Sequence, residues 1–109
     1  MQSAAVFENS ILEANRVHEL LVAELHTGDI AHLTHAVDMG PHEMVLLRTP
    51  ADTAVGKHVW LEFTVNGRAI KVLARVVGRT LETTRYRFKH MWPKDWELYS
   101  TYLRTAASA

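Results

Sequence analysis

Residues 58–79, HVWLEFTV-NG-RAIKVLARVVGR, contain the clearest structural signal in the chain. Two runs in which apolar and polar residues alternate flank Asn66-Gly67, and Asn-Gly in that position favours a β-hairpin with a two-residue type I′ turn. Such a turn places Val65 opposite Arg68 and thereby sets the register of both strands. Beyond the turn, one face of the hairpin is apolar and contains the pairs Phe63–Ile70, Leu61–Val72 and Val59–Ala74.

The other face of this hairpin carries both charged and large apolar side chains. Glu62 opposes Lys71 there, which is a favourable cross-strand charge pair. Trp60 opposes Leu73 on the same face, and two large apolar side chains on an outer face indicate that something covers them. The sequence leaves two candidates for that cover, the terminal helix or a binding partner.

The segment that precedes the hairpin admits two interpretations. Ser10 and Glu13 form a capping-box pair, which marks a helix start. Apolar residues at helical spacing extend that helix through residues 19–26, whereas the alternative is a short helix to about residue 17 followed by a strand over residues 19–26. We favour helix then strand, because everything downstream is strand-like. In that strand Leu21, Ala23 and Leu25 share one face and Glu24 lies on the other.

Further strands are predicted over residues 29–37, 43–48 and 85–90, with Tyr86 and Phe88 inward, a break at Gly40-Pro41 and a loop over residues 50–56. Pro93 suits the first turn of a C-terminal helix. The expected fold is mainly β: a small six-stranded antiparallel β-barrel with a short N-terminal helical segment and a C-terminal helix. We expect one domain over residues 1–109, with residues 1–9 and 105–109 loose.

Composition excludes several classes of function. The 109 residues include no Cys, which removes disulfides, thiol catalysis and thiolate metal sites. No apolar run approaches the length of a membrane span, and the start lacks the pattern of a secretion signal, so we expect a cytoplasmic protein without membrane insertion. There is no GxSxG elbow, glycine-rich phosphate loop or paired histidine motif. We therefore predict no enzyme and no metal site.

Two groups of side chains are candidates for binding. The first is a basic face on the last two strands, which either contacts phosphates or is simply solvated, and solvation is favoured: Lys71, Arg75, Arg79, Arg85, Arg87 and Lys89. No aromatic stacking platform is interleaved on that face, so nucleic acid is not the expected partner. The second is the aromatic stripe of the terminal helix, which serves either as core or as anchors for a partner: Trp92, Trp96, Tyr99 and Tyr102.

The order of these elements resembles the C-terminal two-thirds of a PilZ domain, from Val55 to Leu103. The matching segments are AVGKHVWLEFTVNG (54–67), AIKVLARVVGRT (69–80), YRFKHM (86–91) and a helix ending in LYSTYLR (98–104). The earlier MVLLRTP (44–50) is similar to the strand that follows the family's second ligand motif. Many members of this family are bacterial regulators that bind cyclic di-GMP.

The two motifs that carry this binding in the family are RxxxR and [D/N]xSxxG, and both are broken here. Arg16 matches the first arginine, but Leu20 stands four residues later. Asp38 can start the second motif, yet Gly40 replaces its Ser and Glu43 its Gly. The loss of one guanidinium forfeits a bidentate contact worth roughly 1.5–3 kcal/mol. Residues 1–43 also hold seven acidic residues against one basic, so the resemblance implies weak or absent cyclic di-GMP binding and no other cofactor.

The resemblance implies a bacterial regulatory or adaptor module in cyclic di-GMP or surface-motility signalling, for instance control of type IV pili. Such a module acts through contacts with a protein partner or through a homodimer. Its expected contact surface comprises the aromatic helix together with Trp60 and Leu73. Two alternatives are an unorthodox cyclic di-GMP receptor that uses Arg16 and Asp38, and a nucleic-acid-binding barrel that uses the basic strands over residues 71–89.

Overall fold

Six strands and one helix make up the described part of the protein. In the computed structural model this part comprises residues 20–26, 29–48 and 54–108. The strands close into an antiparallel barrel in the order β1-β2-β3-β6-β5-β4, which confirms the predicted mainly β architecture. The elements are β1 (Leu21–His26), β2 (Asp29–Met39), β3 (Glu43–Leu47), β4 (His58–Val65), β5 (Arg68–Arg79), β6 (Thr83–Met91) and α1 (Pro93–Ser108).

The β4–β5 hairpin has the predicted turn and register. Asn66 and Gly67 have positive φ angles of 51° and 81°. A type I′ turn requires positive φ at both central residues. Val65 faces Arg68, and the apolar pairs of the inner face follow in the expected order up to the end of the hairpin. The apolar side chains of this inner face are buried in the barrel, so the hairpin supplies a large part of the core.

Strand β1 begins at Leu21, which decides between the two interpretations of residues 19–26 in favour of a strand. The predicted N-terminal helical segment lies outside the described residues. The charged residue of β1 is on the interior face: Val22 and Glu24 are both 0% exposed, whereas Leu21 is exposed. A buried carboxylate is tolerated only when donors surround it, and such donors are present, as described below.

Helix α1 covers one end of the barrel. Tyr99 is fully buried between the rings of Phe63 and Phe88, with centroids 5.8 and 5.6 Å away. Its hydroxyl donates to the carbonyl oxygen of Gly40 at 2.7 Å and so ties the helix to the β2–β3 connection. Burial raises the pKa of Tyr99 above its ordinary range.

The same helix is longer than the sequence predicted. Residues 105–108, which were expected to be loose, form its last turn. The hydroxyl of Thr105 donates to the carbonyl oxygen of Thr101 at 3.0 Å, and the alanines that follow have the highest helix propensity of any residue. Within the described ranges, α1 has neither the length nor the apolarity of a membrane-spanning helix.

Candidate interaction surface

The outer face of strands β4, β5 and β6 brings together residues that are far apart in the sequence. Trp60 on β4 is opposite Leu73 on β5, and Leu73 is in turn opposite His90 on β6. The His90 ring then meets the Trp92 ring edge to face, with centroids 5.1 Å apart. These four side chains form one continuous row, which we call the aromatic band. It joins the two apolar surfaces that the sequence indicated separately.

Exposure increases along the aromatic band. Trp60 and Leu73 are half-buried, His90 is exposed, and Trp92 at the start of α1 is 62% exposed. The ammonium nitrogen of Lys71 lies 5.3 Å from the centroid of the Trp60 ring. This distance is typical of a cation–π contact, which shields that end of the band. The exposed end therefore lies at the junction between β6 and α1.

A cleft adjoins that junction. The ring of Trp96, which is 37% exposed, stacks on His42 at 5.9 Å with an angle of 11° between their planes. The side of the cleft formed by β6 includes Lys89 and His90, and its volume is about 210 Å³. Of the predicted helix stripe, the two tryptophans thus face solvent. Tyr99 belongs to the core and Tyr102 is half-buried against it.

The basic residues separate into two groups, contrary to the single outer face expected from the sequence. A β-bulge between Val76 and Gly78 shifts the alternation of β5, so that Arg79 pairs with Thr84, which is buried. Arg79 consequently lies on the interior side, close enough to act electrostatically on Tyr86. The extra residue of a bulge reverses the facing of all later residues. The remaining five basic side chains are exposed on the outer face: Lys71, Arg75, Arg85, Arg87 and Lys89.

Three basic residues of the outer face, followed by Glu43, form a second row beside the aromatic band. His58 is opposite Arg75, Arg75 is opposite Arg87, and Arg87 is opposite Glu43. Glu43 does not neutralise Arg87, because its carboxylate bonds the guanidinium of Arg85 at 2.6 Å. Among the described residues, neither Arg75 nor Arg87 has an acidic partner. We call His58, Arg75 and Arg87 the basic row.

The backbone of Gly40, which falls within the family's second ligand motif, makes hydrogen bonds inside the protein. The backbone N–H of Gly40 donates to the carbonyl oxygen of Glu43 at 2.8 Å. Its own carbonyl accepts from Tyr99, so Gly40 holds the helix rather than presenting its backbone to a ligand. Asp38 is exposed at the end of β2, and Arg16 lies outside the described residues. The structure therefore brings together no ligand constellation around Asp38 and Gly40 within its described part.

A buried polar cluster that sequence reasoning missed lies near the opposite end of the barrel. The Glu24 carboxylate accepts from the Tyr86 hydroxyl and contacts the Nε2 atoms of His26 and His32, the latter at 3.1 Å. Burial, and next the hydrogen bond to Glu24, raise the pKa of Tyr86 above its ordinary range. The signal was the E-x-H spacing of residues 24 and 26, which places both side chains on one strand face. Among the described residues, no group of His, Asp or Glu is arranged to hold a metal ion.

Comparison with known proteins supports the fold. No protein-family model matches the sequence, and no curated protein does. Among solved structures, the inhibitor of motility MotI/DgrA from Bacillus subtilis is similar, with a TM-score of 0.65 and 12% sequence identity. The match covers 84% of this chain and 48% of that one, so the chain spans about half the length of MotI/DgrA. At this identity the likeness concerns architecture alone: the barrel and its closing helix have a PilZ-like fold.

Proposed function

We propose that this protein is a regulatory adaptor of bacterial signalling that acts by binding a protein partner through the aromatic band. The observation that carries the proposal is the alignment of Trp60, Leu73, His90 and Trp92 into one row across three strands and the helix start. Tryptophan and its aromatic neighbours are the side chains that anchor protein interfaces most often.

Motility is the process that the fold comparison favours. The similar structure is described as an inhibitor of motility, and a PilZ-like regulatory role accords with a chain in which no catalytic constellation is evident from the sequence. We infer that the partner belongs to a system that drives movement of the cell, at a flagellum or a pilus. The cytoplasm is the compartment in which such a regulator meets its target.

Cyclic di-GMP is not expected to bind tightly. The position of Gly40 is used to hold α1, and Glu43 places a carboxylate where the family's second motif has glycine. Isothermal calorimetry of the full chain against cyclic di-GMP tests this expectation. If the chain binds cyclic di-GMP with micromolar affinity and Arg16→Ala abolishes this binding, the protein is a receptor with an unorthodox site and the adaptor proposal is wrong.

The partner contact is tested by crosslinking and quantitative capture from cells of the source organism. The full chain is compared with Trp92→Ala, which removes the exposed end of the aromatic band. The matched control is Leu81→Ala, because Leu81 is 92% exposed and lies at the β5–β6 turn, away from the band. We expect one or a few proteins to be captured by wild type and L81A and reduced at least tenfold with W92A, since hot-spot truncation costs about 2 kcal/mol or more.

The genetic counterpart of this experiment measures swimming and twitching. Cells that carry W92A in place of the wild-type gene should resemble cells that lack the gene, while cells with L81A should resemble wild type. Equal capture by W92A and wild type, together with unchanged movement in the deletion strain, would refute the proposal.

A further inference from the structure

The basic row has an arrangement that folding alone does not favour. Arg75 and Arg87 are directly opposite each other on antiparallel strands. The β-carbons of such a pair are about 5 Å apart, so like charges there destabilise the sheet. The acid nearest in register, Glu43, is engaged by Arg85. Among residues 20–26, 29–48 and 54–108, no acidic side chain pairs with these two adjacent guanidinium groups. Such a pair is suited to an anion that accepts from both, and phosphate does so in bidentate geometry.

The aromatic band runs parallel to this basic row. His58 and Trp60 are two residues apart on β4, and Leu73 and Arg75 are two apart on β5. The two rows are therefore separated by about 7 Å, at roughly 3.4 Å per residue. Lys89 lies between the rows on β6, next to the irregular pairing that follows Leu73. A polymer that carries phosphates along one edge and flat rings along the other fits this pattern of charge and aromatic surface.

We propose that the outer face of β4–β6 binds single-stranded nucleic acid, with phosphates on the basic row and Lys89 and with bases stacked on the exposed end of the aromatic band. This inference goes beyond the proposed protein contact, because it assigns Arg75 and Arg87, which that contact does not use. The sequence indicated no stacking platform on the basic face; the platform exists only because β6 and the start of α1 bring His90 and Trp92 beside it.

Single strands are preferred over two other polyanions for a chemical reason. A duplex keeps its bases stacked internally and offers the rings of the band nothing to stack on. An acidic peptide supplies carboxylates for the guanidinium groups but no regular series of aromatic planes. Glu43 and Glu62 lie on the same outer face and oppose any anion, so the affinity relies on stacking as well as on charge.

The first experiment measures the fluorescence anisotropy of a labelled oligonucleotide, dT20, with the full chain at 50 and 200 mM NaCl. Arg75, Arg87 and Lys89 are three cations that neutralise phosphates, which gives a salt slope of about −2 for single strands and hence a loss of about 20-fold in affinity over that range. The double variant Arg75→Ala/Arg87→Ala should lose at least tenfold at 50 mM NaCl. The control Arg68→Ala/Arg104→Ala removes the same charge from the hairpin turn and the helix, and should bind as wild type.

The second experiment tests stacking and separates the ligands. Trp92→Ala should weaken dT20 binding about tenfold while leaving the salt slope unchanged, and dT20 should quench tryptophan emission of the wild-type protein. Duplex DNA or polyglutamate that competes as well as dT20 at equal charge would overturn the proposal, as would a flat salt slope. Because R75A/R87A leaves the aromatic band intact, capture of a protein partner by this variant separates failure of this inference from failure of the adaptor proposal.

Discussion

The buried hydrogen bond between Tyr86 and Glu24 gives the sharpest prediction about stability. Tyr86 is 2% exposed, Glu24 is 0% exposed, and the phenol donates to the carboxylate inside the barrel. Replacing Tyr86 by Phe removes the hydroxyl alone and leaves the ring in place. The Glu24 carboxylate then keeps His26 and His32 as neighbours but loses the hydrogen bond from the buried phenol.

Tyr99→Phe is a matched comparison, because it deletes the same atom from an equally buried ring. The Tyr99 hydroxyl donates to a neutral backbone carbonyl, that of Gly40. A hydrogen bond to a charged group contributes about 1.5–3 kcal/mol to folding, and a neutral one about 0.5–1.5 kcal/mol. We therefore expect Y86F to lower the free energy of unfolding about twice as much as Y99F.

Urea unfolding followed by circular dichroism measures both variants. With a slope of about 2 kcal/mol/M, Y86F should move the midpoint down by about 1 M and Y99F by about 0.5 M. Glu24→Gln removes the charge while retaining an acceptor, so in that background the cost of Y86F should fall to about that of Y99F. A cost for Y86F no larger than that for Y99F would refute the view that a charged acceptor distinguishes the two sites.

Three further predictions concern pH, backbone conformation and a buried hydroxyl. Because the pKa values of Tyr86 and Tyr99 are raised in the folded state above the ordinary 10, unfolded chains lose these protons first. The free energy of unfolding should therefore fall above pH 10 by up to about 2.7 kcal/mol per pH unit, measured by urea unfolding from pH 8 to 11. A free energy of unfolding that does not change between pH 10 and 11 would show that neither phenol has a raised pKa in the folded state. Gly67→Ala should destabilise by about 1–2 kcal/mol in thermal unfolding, whereas Asn66→Gly should be neutral within about 0.5 kcal/mol. Gly67 has a φ of 81°, which costs energy for a residue with a β-carbon, whereas glycine at position 66 adopts positive φ readily. An equal effect of both changes would contradict the type I′ turn. The Thr34 hydroxyl donates to the last carbonyl of β3 at 2.7 Å. Thr34→Val should therefore cost about 1 kcal/mol in urea unfolding, and an unchanged midpoint would show that this bond contributes nothing.

Local patterns were sufficient for much of the fold. The Asn-Gly turn and the alternation around it predicted the register of β4 and β5 residue by residue, since a two-residue turn leaves no freedom in pairing. Alternation also placed Tyr86 and Phe88 of β6 inward correctly. The prediction failed where a bulge intervenes: strict alternation assigned Arg79 to the outer face, although Gly78 within the strand pattern is an indication of a bulge.

Some features of the candidate surface could be predicted from the sequence, and others could not. Spacing within one or two adjacent elements was sufficient to predict the outer pair Trp60–Leu73 and the basic character of β6. It left open whether the tryptophans of the helix belong to the core or to the surface, and the structure exposes them. The folded structure was needed to show that His90 links that pair to Trp92, that Arg75 is opposite Arg87, and that Glu24 lies inside among Tyr86, His26 and His32. The first two relations depend on the irregular pairing of β5 with β6 between Leu73 and Ala74. The third depends on closure of the barrel, which brings together Glu24 and Tyr86 from positions 62 residues apart, and closure is a property of all six strands at once.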